Sequence, residues 1–229
     1  HGYTVNEIKE KGFSPNFEID LNLLNDTKES ISNSIGTGTK EFTKTYEILD
    51  PDIIVLLGDR YEILSAAISA LISKIPIAHI HGGEITEGAF DEAIRHSVTK
   101  MSHLHFVSND VYRKRVIQLG ELPCNVHTVG GLGVDVLKRT QILPKKVLEK
   151  SLGFSFLDKN LLVTLHPVTL NKTNFDRETK ELLHALSEFN DTNIIITLPN
   201  ADPGNQSIRK QMKDFAAYNP NAKTYESLG

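Results

Sequence analysis

The feature that most constrains this chain is a continuous run of β-branched residues and leucine, Ile53-Ile54-Val55-Leu56-Leu57. It is entered through Pro51-Asp52 and left through Gly58-Asp59-Arg60. Such a run has no polar face to offer water, so it reads as a strand of a parallel sheet, buried on both faces. The same grammar repeats downstream. Residues 61–73, rich in Ala, Leu and Ile, read as a helix. Residues 76–80 read as a strand that ends at His81-Gly82-Gly83. A helix over 91–101, a strand over 104–107 and a helix over 110–119 follow, with Gly120 placed as a helix C-cap. A strand over 126–129 ends at Gly130-Gly131. Strand alternating with helix predicts a doubly wound α/β layer.

After Gly130-Gly131-Leu132-Gly133 the pattern breaks, and Pro144 sits within a lysine-bearing stretch over 141–150. This places a boundary between an N-terminal Rossmann-like domain over 1–140 and a second unit over 141–229. In the second unit, strands read at 161–165 and 194–198, and helices at 175–189 and 207–217. Two clear strands make an incomplete sheet. Composition narrows the function. With 29 acidic and 25 basic residues among 229, the net charge of -4 argues against a nucleic-acid binder that relies on bulk charge. No apolar run nears the roughly 18–20 residues of a membrane span. The single cysteine, Cys124, excludes an intrachain disulfide and a cysteine zinc cage, and fits a reducing cytoplasm.

Polar residues gather where ligands bind in open α/β sheets, beyond the carboxyl ends of strands. Asp59 and Arg60 follow the first run. His79, His81 and Glu84 flank the second. Glu87, Asp91, Glu92, Arg95 and His96 lie at or near the next helix start, and His166 follows the first strand of the second unit. Crowded carboxylates supply proton transfer, Arg60 offers a fork to a phosphate, and Gly82-Gly83 admits a close approach to the backbone. Each has a plainer reading. Asp59 equally reads as a helix cap, and Asp91 and Glu92 as complements to a helix dipole. Glu84 and Glu87 read as solvated loop charges, and His96, His103 and His105 as surface or core histidines. His79-x-His81 lacks a spaced third ligand, so no metal is expected. Gly36-Thr37-Gly38 reads as a turn or flexible loop, and Arg113-Lys114-Arg115 as one solvated helix face.

Taken together, Gly58-Asp59-Arg60, His79-Ile80-His81-Gly82-Gly83-Glu84, Glu87-Gly88-Ala89-Phe90-Asp91-Glu92-Ala93-Ile94-Arg95-His96 and Thr99-Lys100-Met101-Ser102-His103 resemble the UDP-N-acetylglucosamine 2-epimerases, in particular the bacterial hydrolysing branch of sialic acid synthesis. Leu165-His166-Pro167-Val168-Thr169 and Pro199-Asn200-Ala201-Asp202-Pro203-Gly204 are similar to that family's second-domain motifs. The resemblance implies a GT-B architecture of two Rossmann-like domains with parallel sheets, here an internal fragment truncated at both ends. It implies a homodimer or homotetramer, with no cofactor. The implied reaction eliminates UDP from UDP-N-acetylglucosamine, leaves a 2-acetamidoglucal, and hydrates it to N-acetylmannosamine. The alternatives are the same chemistry on a UDP-2,4-diacetamido-trideoxyhexose, a silent sugar-nucleotide binding module, or a glycosyltransferase. Residue by residue, the resemblance gives Asp59, Glu84, Asp91 and His166 as catalytic. It gives Arg60, His81, Gly82, Gly83, Arg95, Asn200 and Asp202 as substrate-binding. Some family members carry Glu in place of His81, so Glu84 or His81 itself takes a role that another carboxylate has elsewhere.

Overall fold

The computed structural model describes residues 5–22, 27–166, 175–199, 205–226 and 228. The chain divides into two compact units: residues 16–140, and residues 141–229 grouped with 1–15.

The short α1 (Val5–Glu10) is grouped with residues 141–229; the first unit opens with helix α2 (Lys28–Leu49), followed by four strand segments: β1 (Ile54–Leu57), β2 (Ile77–Ile80), β3 (Leu104–Val107) and β4 (Val126–Thr128). Between them run α3 (Tyr61–Ile72), α4 (Asp91–Met101) and α5 (Asp110–Gln118). All strand pairs are parallel, in the order β1-β2-β3-β4. Sequential order combined with right-handed crossovers puts all three connecting helices on one face of the sheet. Burial follows that geometry. Leu56, His79, His105 and Val126 form one register row across the four strands, and all are buried. Val55 and Leu57 point the other way and are 61% and 50% exposed. The run 53–57 is therefore not buried on both faces: within the described residues the sheet is wound on one face only. The core joins Leu56 and Ile77 to Tyr61, Ala66, Ala67 and Ala70 of α3 and to Ile94 and Val98 of α4.

Residues 36–38 form no turn. They lie in the middle of α2, a helix of 22 residues. Thr27 starts it by accepting the Ser30 N–H, and the chain leaves through Asp50 in the left-handed region. Threonine hydroxyls that would compete with a helix elsewhere are absorbed here, since Thr39, Thr43 and Thr45 donate to carbonyls one turn back. Gly38 is required by packing. A Cβ there would stand 3.0 Å from both Leu21 and Ser65. Across the same seam Ser65 and Ser69 of α3 donate to the carbonyls of Ile35 and Thr39 at 3.1 and 2.7 Å.

Among its described residues the second unit holds three parallel strands rather than two: β5 (Lys159–Thr164), β6 (Thr192–Thr197) and β7 (Ala222–Tyr225), in that order. Helices α8 (Phe175–Ser187) and α9 (Asn205–Tyr218) connect them. Leu183, Leu186, Ile194, Ile196, Ile208 and Met212 form its core. The stretch around Pro144 carries two further helices, α6 (Leu132–Arg139) and α7 (Lys145–Leu152). No helix among the described residues is long and apolar enough to cross a membrane.

Candidate active site

The site is assembled where β1, β2 and β3 end together. Gly58, with φ +85°, turns the chain out of β1, and Asp59 and Arg60 follow at once. The reading of Asp59 as a helix cap does not hold. Arg60 is the N-cap of α3 and makes no side-chain cap, while the Asp59 carboxylate accepts from the Arg95 guanidinium. Arg60 itself lies over the Tyr61 ring and donates to Glu62 at 3.2 Å.

Arg95 of α4 is 3% exposed, and its fork organises the loop between β2 and α4. One amino group donates to Asp59 and to the Thr86 hydroxyl at 2.7 Å. The other donates to the Glu84 carbonyl at 2.9 Å and to Glu92 at 3.0 Å. Glu92 in turn accepts the Thr86 N–H at 2.6 Å and bonds His96 at 3.2 Å. A buried guanidinium fully engaged in this way fixes the position of an ionised Asp59. Asp91, half-buried, opens α4 beside this network. Glu87 is exposed.

Behind the strand ends, His79 is fully buried. Its Nε2 bonds the Gly58 carbonyl at 2.8 Å and its Nδ1 the Thr99 hydroxyl at 3.2 Å, tying the β1 turn to α4. Burial lowers its pKa to about 4, so the ring is neutral near pH 7. Gly82 lies against the same pair: a Cβ there would stand 3.1 Å from both the His79 ring and Thr99. Gly83, with φ +78°, leaves 2.6 Å between a Cβ and the Tyr112 carbonyl, and Arg115 donates to its carbonyl at 3.0 Å.

His81 comes at the end of β2 with φ +66°. Its Nδ1 lies 2.6 Å from the Glu84 carboxylate, and the Ser108 hydroxyl at the end of β3 donates to the same oxygen at 3.0 Å. The strand ends thus bring together Asp59, Arg60, His81, Gly82, Gly83, Glu84 and Arg95. His166 lies in the second unit, exposed just after β5, and Asn200 and Asp202 fall outside the described residues. Sequence reading missed Ser108, although a polar residue directly after a strand is the signal that marked Asp59. It also misread the basic triplet of α5. Lys114 is exposed, but Arg113 donates to the carbonyls of Val126 and Pro123, and Arg115 holds Gly83. Residues spaced by two on a helix do not share a face. No cluster of histidine, cysteine and carboxylate suited to a metal occurs among the described residues.

Comparison with known proteins extends the geometry. The sequence profile of the family described as UDP-N-acetylglucosamine 2-epimerase matches residues 1–229. A Campylobacter jejuni protein named GDP/UDP-N,N'-diacetylbacillosamine 2-epimerase (hydrolyzing) is 43% identical over 100% of this chain, which spans 59% of that protein. The Escherichia coli polysialic acid biosynthesis protein P7 is 38% identical over 94% of the chain and 55% of its own length. The chain thus spans little more than half of the relatives it matches. Among solved structures, the UDP-GlcNAc 2-epimerase of Neisseria meningitidis bound to UDP-GlcNAc shares the fold, with a TM-score of 0.75 at 20% identity over 99% of this chain and 62% of that one. By its profile match and by these relatives, the chain belongs to the UDP-N-acetylglucosamine 2-epimerase family.

Proposed function

We propose that the protein is a hydrolysing 2-epimerase of a nucleotide-linked 2-acetamido sugar, with a 2,4-diacetamido-trideoxyhexose as its sugar. The reaction class rests on one arrangement: proton-transfer groups, Asp59 and the His81–Glu84 pair, converge at the ends of three parallel strands with their geometry fixed by Arg95. Elimination across C1 and C2 needs a base near C2 and a cation near the departing diphosphate; hydration needs an acid to return a proton to C2. Asp59, Asp91 and the His81–Glu84 pair supply the proton carriers, and the cation for the diphosphate is Arg60, whose guanidinium lies over Tyr61 and donates to Glu62. Gly82 and Gly83 serve the loop itself, because the space a side chain would fill there is taken by the His79 ring, Thr99 and the Tyr112 carbonyl.

The sugar is assigned from the relative named for N,N'-diacetylbacillosamine, 43% identical over the whole chain. UDP-N-acetylglucosamine is the second reading, because the relative at 38% is named for polysialic acid biosynthesis. Following nucleotide release from the GDP and UDP forms of the diacetamido sugar and from UDP-N-acetylglucosamine decides between them. A kcat/KM at least about tenfold higher for a diacetamido substrate is expected, a discrimination of about 1.4 kcal/mol. The reverse preference would select the second reading, and release from none of them would exclude both. Turnover in deuterated water places deuterium at C2 of the product; its absence there would rule out elimination and hydration.

A further inference from the structure

We propose that His81 is the group that takes the C2 proton, and that Glu84, held by Ser108, orients its ring; this rests on the reading of the protein as a hydrolysing 2-epimerase.

The tautomer follows from the partner. An ionised carboxylate only accepts, so the 2.6 Å contact with Glu84 requires the proton on Nδ1 of His81. The lone pair is then on Nε2, and among the described residues no other side chain bonds that ring. Glu84 is steadied in turn by the Ser108 hydroxyl on the same oxygen and by Arg95 on its own carbonyl. Serine, carboxylate and imidazole thus form one line across the ends of β2 and β3. Its imidazole end is partly open, with 23% of the His81 side chain exposed. The backbone gives an independent sign. His81 has φ +66°, a left-handed conformation that costs a non-glycine residue about 1–2 kcal/mol. Glycine would adopt it freely, as Gly83 does two residues later at φ +78°. An imidazole kept at a strained position, with its tautomer fixed, has the marks of a proton carrier rather than a surface contact.

In the elimination step Nε2 takes the C2 proton, and the C–H electron pair becomes the C1–C2 double bond. The C1–O bond breaks with its pair leaving on the diphosphate. In the hydration step a water adds its hydroxyl to C1 and gives its remaining proton to solvent, and a proton from solvent reaches C2 from the other face. His81 releases the proton it took to solvent, so the sum is sugar nucleotide plus water giving free sugar, nucleoside diphosphate and one proton. His81 is then the catalytic residue and Glu84 a positioning residue.

The experiment uses His81→Gly, Glu84→Ala and the double variant of the intact protein, with nucleotide release as readout. Glycine suits the backbone, so His81→Gly is expected to fold at least as well as the parent. Its kcat should fall by roughly 10²–10⁴-fold with little change in KM. Added imidazole should restore part of that loss. Glu84→Ala alone should cost roughly 10–100-fold, yet less than about threefold once His81 is already glycine, because a residue that acts through another is not additive with it. A loss under tenfold in His81→Gly, failure of imidazole rescue, or an equal penalty for Glu84→Ala in both backgrounds would overturn the proposal. Imidazole nitrogen NMR adds a readout free of turnover: His81 should show the Nδ1–H form in the parent and lose it in Glu84→Ala. An Nε2–H form in the parent overturns the dyad even with normal turnover. A parent inert toward every sugar nucleotide overturns the functional reading itself, and with it the proposal; an active parent with an unimpaired His81→Gly overturns the proposal alone.

Discussion

Arg95 and Asp59 separate stability from chemistry at the level of single residues. Arg95 makes bonds to Asp59, Thr86, Glu84 and Glu92, so Arg95→Ala leaves several polar groups unpaired at once. The expected loss is about 2–3 kcal/mol in urea unfolding, kept modest because Asp59 retains some contact with water. Asp59→Asn keeps the shape and an acceptor for the guanidinium. It should cost about 1 kcal/mol or less in stability, yet lower kcat at least about a hundredfold, since an amide can neither take up nor return a proton. Equal stability losses in the two variants would show that the charge of Asp59, and not the other bonds of Arg95, carries the stability of this loop. Gly83→Ala belongs to another class. Its Cβ would meet the Tyr112 carbonyl at 2.6 Å in a left-handed backbone, so the strand end must shift, and a loss of about 2–4 kcal/mol is expected.

Elements were legible where sequence and burial speak together. The helix Asp91–Met101 and the strand Leu104–Val107 have the bounds that apolar spacing gives. Helix α2 was not legible, because its two glycines and several threonines imitate a loop; only packing against α3 turns them into a seam. The last strand, Ala222–Tyr225, is short and carries Lys and Thr, so a parallel neighbour defines it rather than hydrophobicity. The one-sided burial of Val55 follows from strand order, which local sequence does not encode. In the site, Asp59, Glu84 and Arg95 could be named from their places after strands or on a helix. Their partners could not, since the contact of Ser108 with Glu84 spans two strands. The two glycines of α2 make the packing argument testable. Gly36 has open space around a Cβ, so Gly36→Ala should gain about 0.5–1 kcal/mol from helix propensity. Gly38→Ala should forfeit that gain against Leu21 and Ser65, and paired thermal melts should place the two variants on opposite sides of the parent.

Across the whole molecule the two units differ in how they answer acid. The first buries His79 and His105 side by side in register between β2 and β3. Burial lowers both pKa values, that of His79 to about 4. An unfolded histidine binds its proton near pH 6.5, so between about pH 6.5 and 4 the unfolded chain holds more protons than the native one, and stability rises with pH across that window. The contribution of His79 is complete above pH 6.5 and is lost as pH falls toward 4, at about 1.4 kcal/mol per unit and about 3 kcal/mol in all. His105 acts in the same direction, with Glu121 beside it opposing the shift. In the second unit the described histidines, His166 and His184, are exposed rather than buried. Hydrogen exchange corrected for its intrinsic pH dependence should therefore show protection of β1–β4 falling by about 2 kcal/mol between pH 7 and pH 5. Protection of β5–β7 should change far less. In His79→Asn the slope of the first unit should shrink toward that of the second. A uniform loss across both sheets would mean that these two buried imidazoles do not set the acid response, and that charge distributed over the whole surface does.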